Sequence, residues 1–278
     1  MSAERPSVKL MVTVMCAALY AVGSYVTAYI PSPWGFGQFR PAVVIPAFFA
    51  VVFGPIPAGV GAALGTLLAD SIKHGYLYPG SLIAAVPGNF AGFYLIGWFL
   101  WRRFSWNKFI IISNLGLLVA NLVVAVLYVF AYKVLYQNQY VGIPVEALVA
   151  VAAGLTLFWF VTMLPFVLLV TPPLIKAAVS AFPSLVHSDL IEALRRKIPA
   201  RELGASMVGP GVVLLLIALS VSFTGLGAWM VDNPTFGATT KSIIEILCHV
   251  CGAVLSALGL LFLTGKVGEE KDVSHSRA

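Results

Sequence analysis

The sequence predicts an all-α integral membrane protein, in which a six-helix bundle is followed by a C-terminal two-helix transmembrane hairpin. Hydrophobic residues make up 60% of the 278 residues and charged residues only 10%, whereas soluble domains carry about 25% charged residues. A chain with so little polar surface must be solvated largely by lipid. Its three cysteines lie within apolar runs, which argues against a disulfide framework. The composition therefore excludes an ordinary cytosolic enzyme, a disordered regulator and a disulfide-stapled secreted module.

Apolar runs of helical length define the predicted spans. A helix needs about 20 mostly apolar residues to cross the hydrocarbon, and strands are not predicted because the runs are long and do not alternate. The runs cover roughly residues 8–30, 41–54, 56–72, 82–101, 109–132, 146–176, 208–231 and 243–265. Between the second and third lies Gly54-Pro55-Ile56-Pro57, whose prolines favour a tight hairpin. A re-entrant pair is the alternative for these two short runs.

The distribution of positive charge predicts the topology. With the N-terminus inside and every run crossing, only Arg40, Lys73, Lys133 and Lys241 of the 17 lysines and arginines fall outside. Cytoplasmic loops are enriched in Lys and Arg, so both termini are expected in the cytoplasm. The net charge of +6 then reflects loops that face anionic lipid, and no nucleic-acid partner is expected.

The longest polar interruption marks the expected domain boundary. Within Ser180–Ser206, apolar residues recur near helical spacing beside three basic residues, Arg195, Arg196 and Lys197. This pattern is typical of an amphipathic helix on the inner membrane surface. The predicted segments are a six-helix membrane domain (1–178), a cytoplasmic amphipathic linker (179–207), an extra transmembrane helix pair (208–266) and a disordered cytoplasmic tail (267–278).

One stretch resembles a known family. Residues 36–70 read FGQFRPAVVIPAFFAVVFGPIPAGVGAALGTLLAD and follow a helix that ends in YIPSP. This is similar to the substrate-binding (S) component of an energy-coupling factor (ECF) transporter. In that family a Gln-Phe-Arg-Pro-like turn precedes a short second helix, a Phe-Gly-Pro turn and a Gly-rich third helix that ends on Asp. The resemblance is strongest over residues 8–100 and weaker to about residue 178.

The resemblance implies a function and partners. ECF S components capture vitamins, vitamin precursors or metal ions from outside the cell, and they pair with a transmembrane coupling subunit and two ATPase subunits. This chain is accordingly expected to be the substrate-capture subunit (residues 1–178) of such an importer in the plasma membrane of a prokaryote, with no enzyme activity and no cofactor. It contains no P-loop and would not hydrolyse ATP itself. Ala17-x-x-x-Ala21 matches the family signature that contacts the coupling subunit; contact with another helix of the same chain is the alternative.

Polar and aromatic residues near the predicted outer side are the candidate substrate contacts. Ionisable residues are costly inside a membrane, so Arg40 and Asp70 either form a structural pair or hold a polar ligand between them. Aromatic rings beside polar groups suit a flat heteroaromatic micronutrient, although Trp and Tyr also anchor at interfaces and amides also cross-link helices. The predicted substrate-binding residues are Trp34, Phe36, Gln38, Arg40, Asp70, His74, Tyr78, Asn89, Asn121 and Trp159.

Two other functions stay open from the sequence. The chain could be a stand-alone multi-pass transporter or channel that works without ATPase partners. Alternatively, it could be a membrane redox or metal protein that uses Glu245, Cys248, His249 and Cys251 on the last predicted helix, since these side chains are of types that bind transition metals. A packed Glu–His pair beside buried cysteines is the simpler interpretation of that cluster, and no metal ligand is assigned.

Overall fold

A computed structural model describes residues 6–29, 37–194, 198–232 and 237–264 of the chain. The described residues are helical and form no sheet, which confirms the predicted all-α fold class. The chain divides into two compact units, residues 1–197 and residues 198–278. Trp34 and Phe36 of the predicted site, the basic residues 195–197 and the predicted tail 267–278 lie outside the described residues.

The first unit consists of seven α-helices with short segments of other helical types. The α-helices are α1 (Pro6–Val26), α2 (Val44–Phe53), α3 (Pro55–His74), α4 (Val86–Leu100), α5 (Trp106–Val126), α6 (Val145–Ala181) and α7 (Ser188–Leu194). A 3₁₀ turn, Pro41–Val43, leads into α2. One π-helical segment, Ser81–Ala85, leads into α4, and a second, Leu127–Tyr136, continues α5. Such i→i+5 segments are rare and occur frequently at functional sites.

The break between the second and third predicted runs is a tight hairpin, as the sequence predicts. Gly54 has φ 97° and ends α2, and Pro55 occupies the first turn of α3. Proline fits that position because the first helical N–H groups have no intrahelical partner. The hairpin brings α2 beside α3, and both helices also pack against α4.

Six described helical stretches are long and apolar enough to cross a membrane, and the chain is a multi-pass membrane protein. They are Pro6–Val26, Pro55–His74, Ser81–Leu100, Trp106–Tyr136, Val145–Ala181 and Ala200–Phe223. Pro41–Phe53 is apolar but shorter, so the choice between a spanning and a re-entrant second helix stays open. The full set of eight crossings therefore remains a prediction.

The second unit is a pair of long helices joined by a short one. It contains α8 (Ala200–Phe223), α9 (Gly225–Asp232) and α10 (Gly237–Leu263). Thr224, at φ −119° and ψ 172°, interrupts the single helix expected over 208–231. Glycines allow α8 and α10 to approach closely, because a Cβ on Gly211 would meet the backbone N of Ser256 at 2.7 Å. Small residues at helix contacts are typical of membrane helix pairs.

The predicted amphipathic linker contains a short helix, α7, whose apolar side packs on protein. Leu190 and Ala193 are buried, while Asp189 is exposed. The indole Nε1 of Trp106 donates a hydrogen bond to the Ala193 carbonyl at 3.0 Å, which fixes α7 against the start of α5. Contact of this segment with the inner membrane surface stays a prediction.

Candidate functional site

Six helical segments of the first unit and two connecting segments surround a cavity of about 270 Å³. The helical segments are α3, α4, α5, α6 and the two π-helical segments, and the connections are the loop before α2 and the short link between α3 and Ser81. The lining residues are Gly37, Gln38, Arg40, Asp70, Lys73, His74, Tyr78, Gly80, Ser81, Ala85, Asn89, Asn121, Val124, Tyr128, Trp159 and Met163. The volume lies just below the range of about 300–1,000 Å³ that is typical of small-molecule pockets.

An ionic cluster, defined as Gln38, Arg40, Asp70 and Lys73, forms one part of the lining. Arg40 and Asp70 are buried and make an ion pair, and Arg40 also donates to the hydroxyl of Thr66. Gln38 Nε2 donates to Asp70 Oδ1 at 2.9 Å. Charges in a low-dielectric interior need this pairing because their desolvation is expensive. The sequence left open whether Arg40 and Asp70 pair directly, and in the structure they do.

Lys73 connects the cluster to the end of α1. Its Nζ donates to the Gln38 Oε1 at 2.9 Å and to the Ala28 carbonyl at 2.5 Å. One ammonium group therefore joins three segments: the turn after α1, the loop before α2 and the last turn of α3. From the sequence, Lys73 was predicted only to be a charge on the outer side, although its i+3 spacing from Asp70 places both residues on one helical face.

The loop before α2 is held against α6 at Gly37 and Gln38. The indole Nε1 of Trp159 donates to the Gln38 carbonyl at 3.2 Å. Gly37 has φ 77°, and a Cβ at this position would lie 2.5 Å from Trp159 Cζ2. Glycine is required here for both reasons, because other residues rarely adopt this backbone conformation and because the indole ring occupies the space.

Aromatic rings form a second part of the lining. The His74 imidazole stacks on the Tyr78 ring, with centroids 3.9 Å apart and planes 2° apart. The Tyr78 hydroxyl lies 3.2 Å from the Tyr128 hydroxyl. Burial raises the pKa of Tyr78 well above its ordinary value, so its hydroxyl stays protonated.

An amide wall, defined as Ser81, Asn89 and Asn121, forms the third part. All three residues are buried. Ser81, Ala85 and Asn89 follow one another at four-residue intervals along the π-helical segment and α4, and all three line the cavity. Asn121 comes from α5, which approaches α4 so closely that a Cβ on Gly88 would meet the Ala120 carbonyl at 2.9 Å.

The cavity brings together every described residue of the predicted substrate site. These are Gln38, Arg40, Asp70, His74, Tyr78, Asn89, Asn121 and Trp159. Sequence reasoning missed Lys73, Ser81, Tyr128 and Met163 as lining residues. The eight-residue spacing between Ser81 and Asn89 could have indicated Ser81. Tyr128 and Met163 have no sequence feature that distinguishes them from other residues of apolar helices.

The predicted partner-contact residues lie inside the first unit. Ala17 and Ala21 are buried on α1. A Cβ on Gly65 of α3 would lie 2.8 Å from the Ala17 carbonyl. α1 and α3 therefore approach closely at Ala17, and contact of Ala17 and Ala21 with a coupling subunit stays a prediction.

The polar cluster on α10 makes local contacts. Glu245 accepts a hydrogen bond from Ser222 and lies 3.7 Å from the Lys241 ammonium, and His249 Nδ1 lies 2.9 Å from the Glu245 carbonyl. Cys248 and Cys251 are free thiols. Among the residues that the structure describes, no group of three His, Cys, Asp or Glu side chains is arranged to hold a metal ion.

The first unit is a helical membrane bundle whose cavity is lined by polar and aromatic residues, which is the type of lining that small-molecule sites have. The family model described as ECF-type riboflavin transporter, S component, matches residues 6–180, which include the whole cavity. The chain belongs to this family, as the resemblance predicted. No curated protein and no solved structure matches the chain at a significant level. An S component is a substrate-binding subunit of a transporter and not an enzyme.

Proposed function

We propose that this protein captures riboflavin, or a vitamin of the same chemical type, as the S component of an ECF importer. The observation that carries the proposal is that the cavity lies wholly within the matched residues 6–180. The family description supplies riboflavin as the first substrate to test. Riboflavin combines a flat ring system, a pyrimidinedione edge and a hydroxylated chain, and it therefore needs aromatic faces together with hydrogen-bonding groups.

The lining provides these groups. Trp159, Tyr78 and Tyr128 supply aromatic surface, and the amide wall supplies uncharged hydrogen-bonding groups. Asp70 is already engaged by Arg40 and Gln38, so it does not present an unpaired carboxylate that would favour a cationic substrate. The lining thus supports a neutral, polar, aromatic ligand over a metal ion or an amine.

The sequence contains no P-loop, and the proposal assigns ATP hydrolysis to other subunits. The proposed partners are the transmembrane coupling subunit and two ATPase subunits of the ECF complex. Ala17 and Ala21 are both buried in the first unit, so their contact with the coupling subunit would need a local rearrangement of α1. Chemical cross-linking from Ala18, an exposed residue of the same helix, tests whether the outer face of α1 meets the coupling subunit instead.

Binding to the purified chain tests the proposed function. Riboflavin fluorescence should be quenched with one-to-one stoichiometry in the absence of ATP and of any other subunit. Absence of quenching by protein whose helical circular dichroism is intact would overturn the proposal. Liposomes that contain this chain alone should accumulate no riboflavin, whereas accumulation would favour a stand-alone transporter.

The proposed topology places both termini in the cytoplasm of a prokaryotic cell and the 137–144 loop outside. Gln139 and Asn107 are exposed residues at opposite ends of α5 and its π-helical extension. A membrane-impermeant maleimide should label Gln139→Cys in intact cells and should label Asn107→Cys only after the cells are opened. The reverse pattern would contradict the topology.

A further inference from the structure

Two rings of the cavity lining are held together by the way α3 ends. Gly75 follows the helix in the left-handed conformation, with φ 76°, and the chain then turns back, as is common at helix C-termini. The backbone N–H of Tyr78 donates to Ser71 Oγ at 3.2 Å. This return places the Tyr78 ring on the His74 imidazole, with centroids 3.9 Å apart and planes 2° apart.

The His74 imidazole is fixed at one edge as well as on one face. Its Nδ1 lies 2.7 Å from the Asp70 carbonyl oxygen. A carbonyl oxygen only accepts hydrogen bonds, so Nδ1 carries the proton and donates. Although Tyr78 and the carbonyl cover these two sides, His74 is exposed and lines the cavity. Its accessible surface is therefore the ring face opposite Tyr78, together with the Nε2 edge.

The other rings of the described lining have less free surface than His74. Tyr78 and Tyr128 are half-buried, and Trp159 is 7% exposed. One face of Tyr78 is covered by the imidazole, and the Lys133 ammonium lies over the Tyr128 ring, 5.6 Å from its centroid. Among the rings that the structure describes in this lining, the His74 imidazole is thus the most open to a ligand.

We infer that the open face of His74 is the platform on which the planar ring system of the ligand stacks, with Tyr78 as the second layer behind it. This inference rests on the proposed function and adds to it the residue that contacts the ring. Histidine rings, like those of Phe, Tyr and Trp, stack on flat heterocycles. Because Tyr78 and the Asp70 carbonyl fix the imidazole before the ligand arrives, binding need not order this side chain.

Substitutions of His74 test the platform. His74→Ala should weaken riboflavin binding about 10-fold in a fluorescence titration. His74→Gln keeps a polar side chain but no ring, and it should lose about as much affinity as His74→Ala. His74→Phe keeps a ring that can stack on Tyr78, so its affinity should stay within about threefold of the wild type.

A second ligand shows which part of riboflavin His74 contacts. Lumiflavin keeps the isoalloxazine ring but carries a methyl group in place of the hydroxylated chain. It should bind the wild-type protein, and His74→Ala should weaken its binding by the same factor as that of riboflavin, because the stacked ring is common to both ligands.

Two aromatic residues outside the cavity lining provide matched controls. Tyr76 is 57% exposed and meets the His74 ring edge-on, with centroids 6.1 Å apart, but it does not line the cavity. His187 meets Trp101 edge-on, with centroids 5.7 Å apart, and does not line the cavity either. Tyr76→Leu and His187→Ala should therefore leave riboflavin affinity unchanged. A loss in Tyr76→Leu equal to that in His74→Ala would contradict the platform.

The outcomes separate the two proposals. If the wild-type protein does not bind riboflavin, the proposed function fails. If it binds riboflavin but His74→Ala and His74→Gln bind as tightly as the wild type, the proposed function stands and the platform is overturned. The platform is also overturned if lumiflavin does not bind the wild-type protein, or if His74→Ala weakens riboflavin but not lumiflavin, because His74 would then contact the hydroxylated chain.

Discussion

The ionic cluster and the amide wall line the same cavity, but they differ in how their polar atoms are satisfied. In the ionic cluster each charge has a partner within the chain, and those contacts join the loop before α2 to α3 and to the turn after α1. In the amide wall, Ser81 Oγ and Asn121 Nδ2 are buried and have no hydrogen-bond partner. Buried charges are therefore not the best guide to ligand contacts in this cavity, because their pairing is needed for folding whether or not a ligand binds.

Substitutions in these two parts of the lining are therefore expected to have different effects on stability and on riboflavin affinity. Substitutions in the ionic cluster should lower stability first and affinity as a consequence, because they loosen the segments that form the cavity. Substitutions in the amide wall should lower affinity without lowering the stability of the ligand-free protein.

The largest effect is expected from Asp70→Leu. This substitution leaves the buried Arg40 guanidinium without its carboxylate, and an unpaired buried charge costs about 3–5 kcal/mol of stability. We expect a loss of that order in the free energy of unfolding, measured by denaturant titration in detergent micelles, together with weaker riboflavin binding.

The double variant Arg40→Met/Asp70→Leu distinguishes pairing from a direct role in binding. Replacing both charges by apolar side chains of similar size should restore most of the lost stability. Asp189→Leu, at an exposed position of α7, is the control for loss of a carboxylate alone and should have little effect. If Asp70→Leu were as stable as the wild type, the ion pair would not have the structural role assigned to it.

An intermediate effect is expected from Gly37→Ala. The new Cβ would lie 2.5 Å from Trp159 Cζ2 in a backbone of φ 77°, so the loop must move away from α6. We expect riboflavin affinity to fall about 10-fold or more, since the left-handed conformation alone costs about 1–2 kcal/mol in a residue with a Cβ. Fluorescence titration measures this change.

Gly142→Ala isolates the cost of the backbone conformation. Gly142 has φ 88°, but a Cβ there would meet no atom within 4 Å. Gly142→Ala should lower the free energy of unfolding by about 1–2 kcal/mol and leave riboflavin affinity unchanged. Equal affinity losses in the two variants would show that contact with Trp159 does not position the loop.

The sequence predicted the features that depend on local chemistry. Apolar runs indicated the helices because a lipid-embedded backbone must satisfy its own hydrogen bonds, and Gly54-Pro55 indicated the hairpin. Arg40 and Asp70 were identified because ionisable residues are rare in membranes. The roles of these residues in substrate binding still await the experiments described above.

Features that depend on packing could not be predicted from the sequence. The π-helical segments Ser81–Ala85 and Leu127–Tyr136 leave no distinct residue pattern, because ordinary helix-forming residues fill them. Ser81 was therefore not identified, although it lines the cavity. The burial of Ala17 and Ala21 was likewise open, since a small-residue motif suits contacts within the chain and between chains equally well.

The smallest effect is expected from Trp159→Phe. This substitution keeps an aromatic ring in the cavity wall but removes the indole N–H that donates to the Gln38 carbonyl at 3.2 Å. The loss of one hydrogen bond between uncharged groups costs about 1 kcal/mol, which corresponds to about fivefold in affinity. Trp98→Phe, at a 64% exposed position of α4, is the control and should bind riboflavin as the wild type does. A loss larger than that of Gly37→Ala would mean that Trp159 contacts the ligand directly, because positioning of the loop alone cannot contribute more than the displacement of the loop itself.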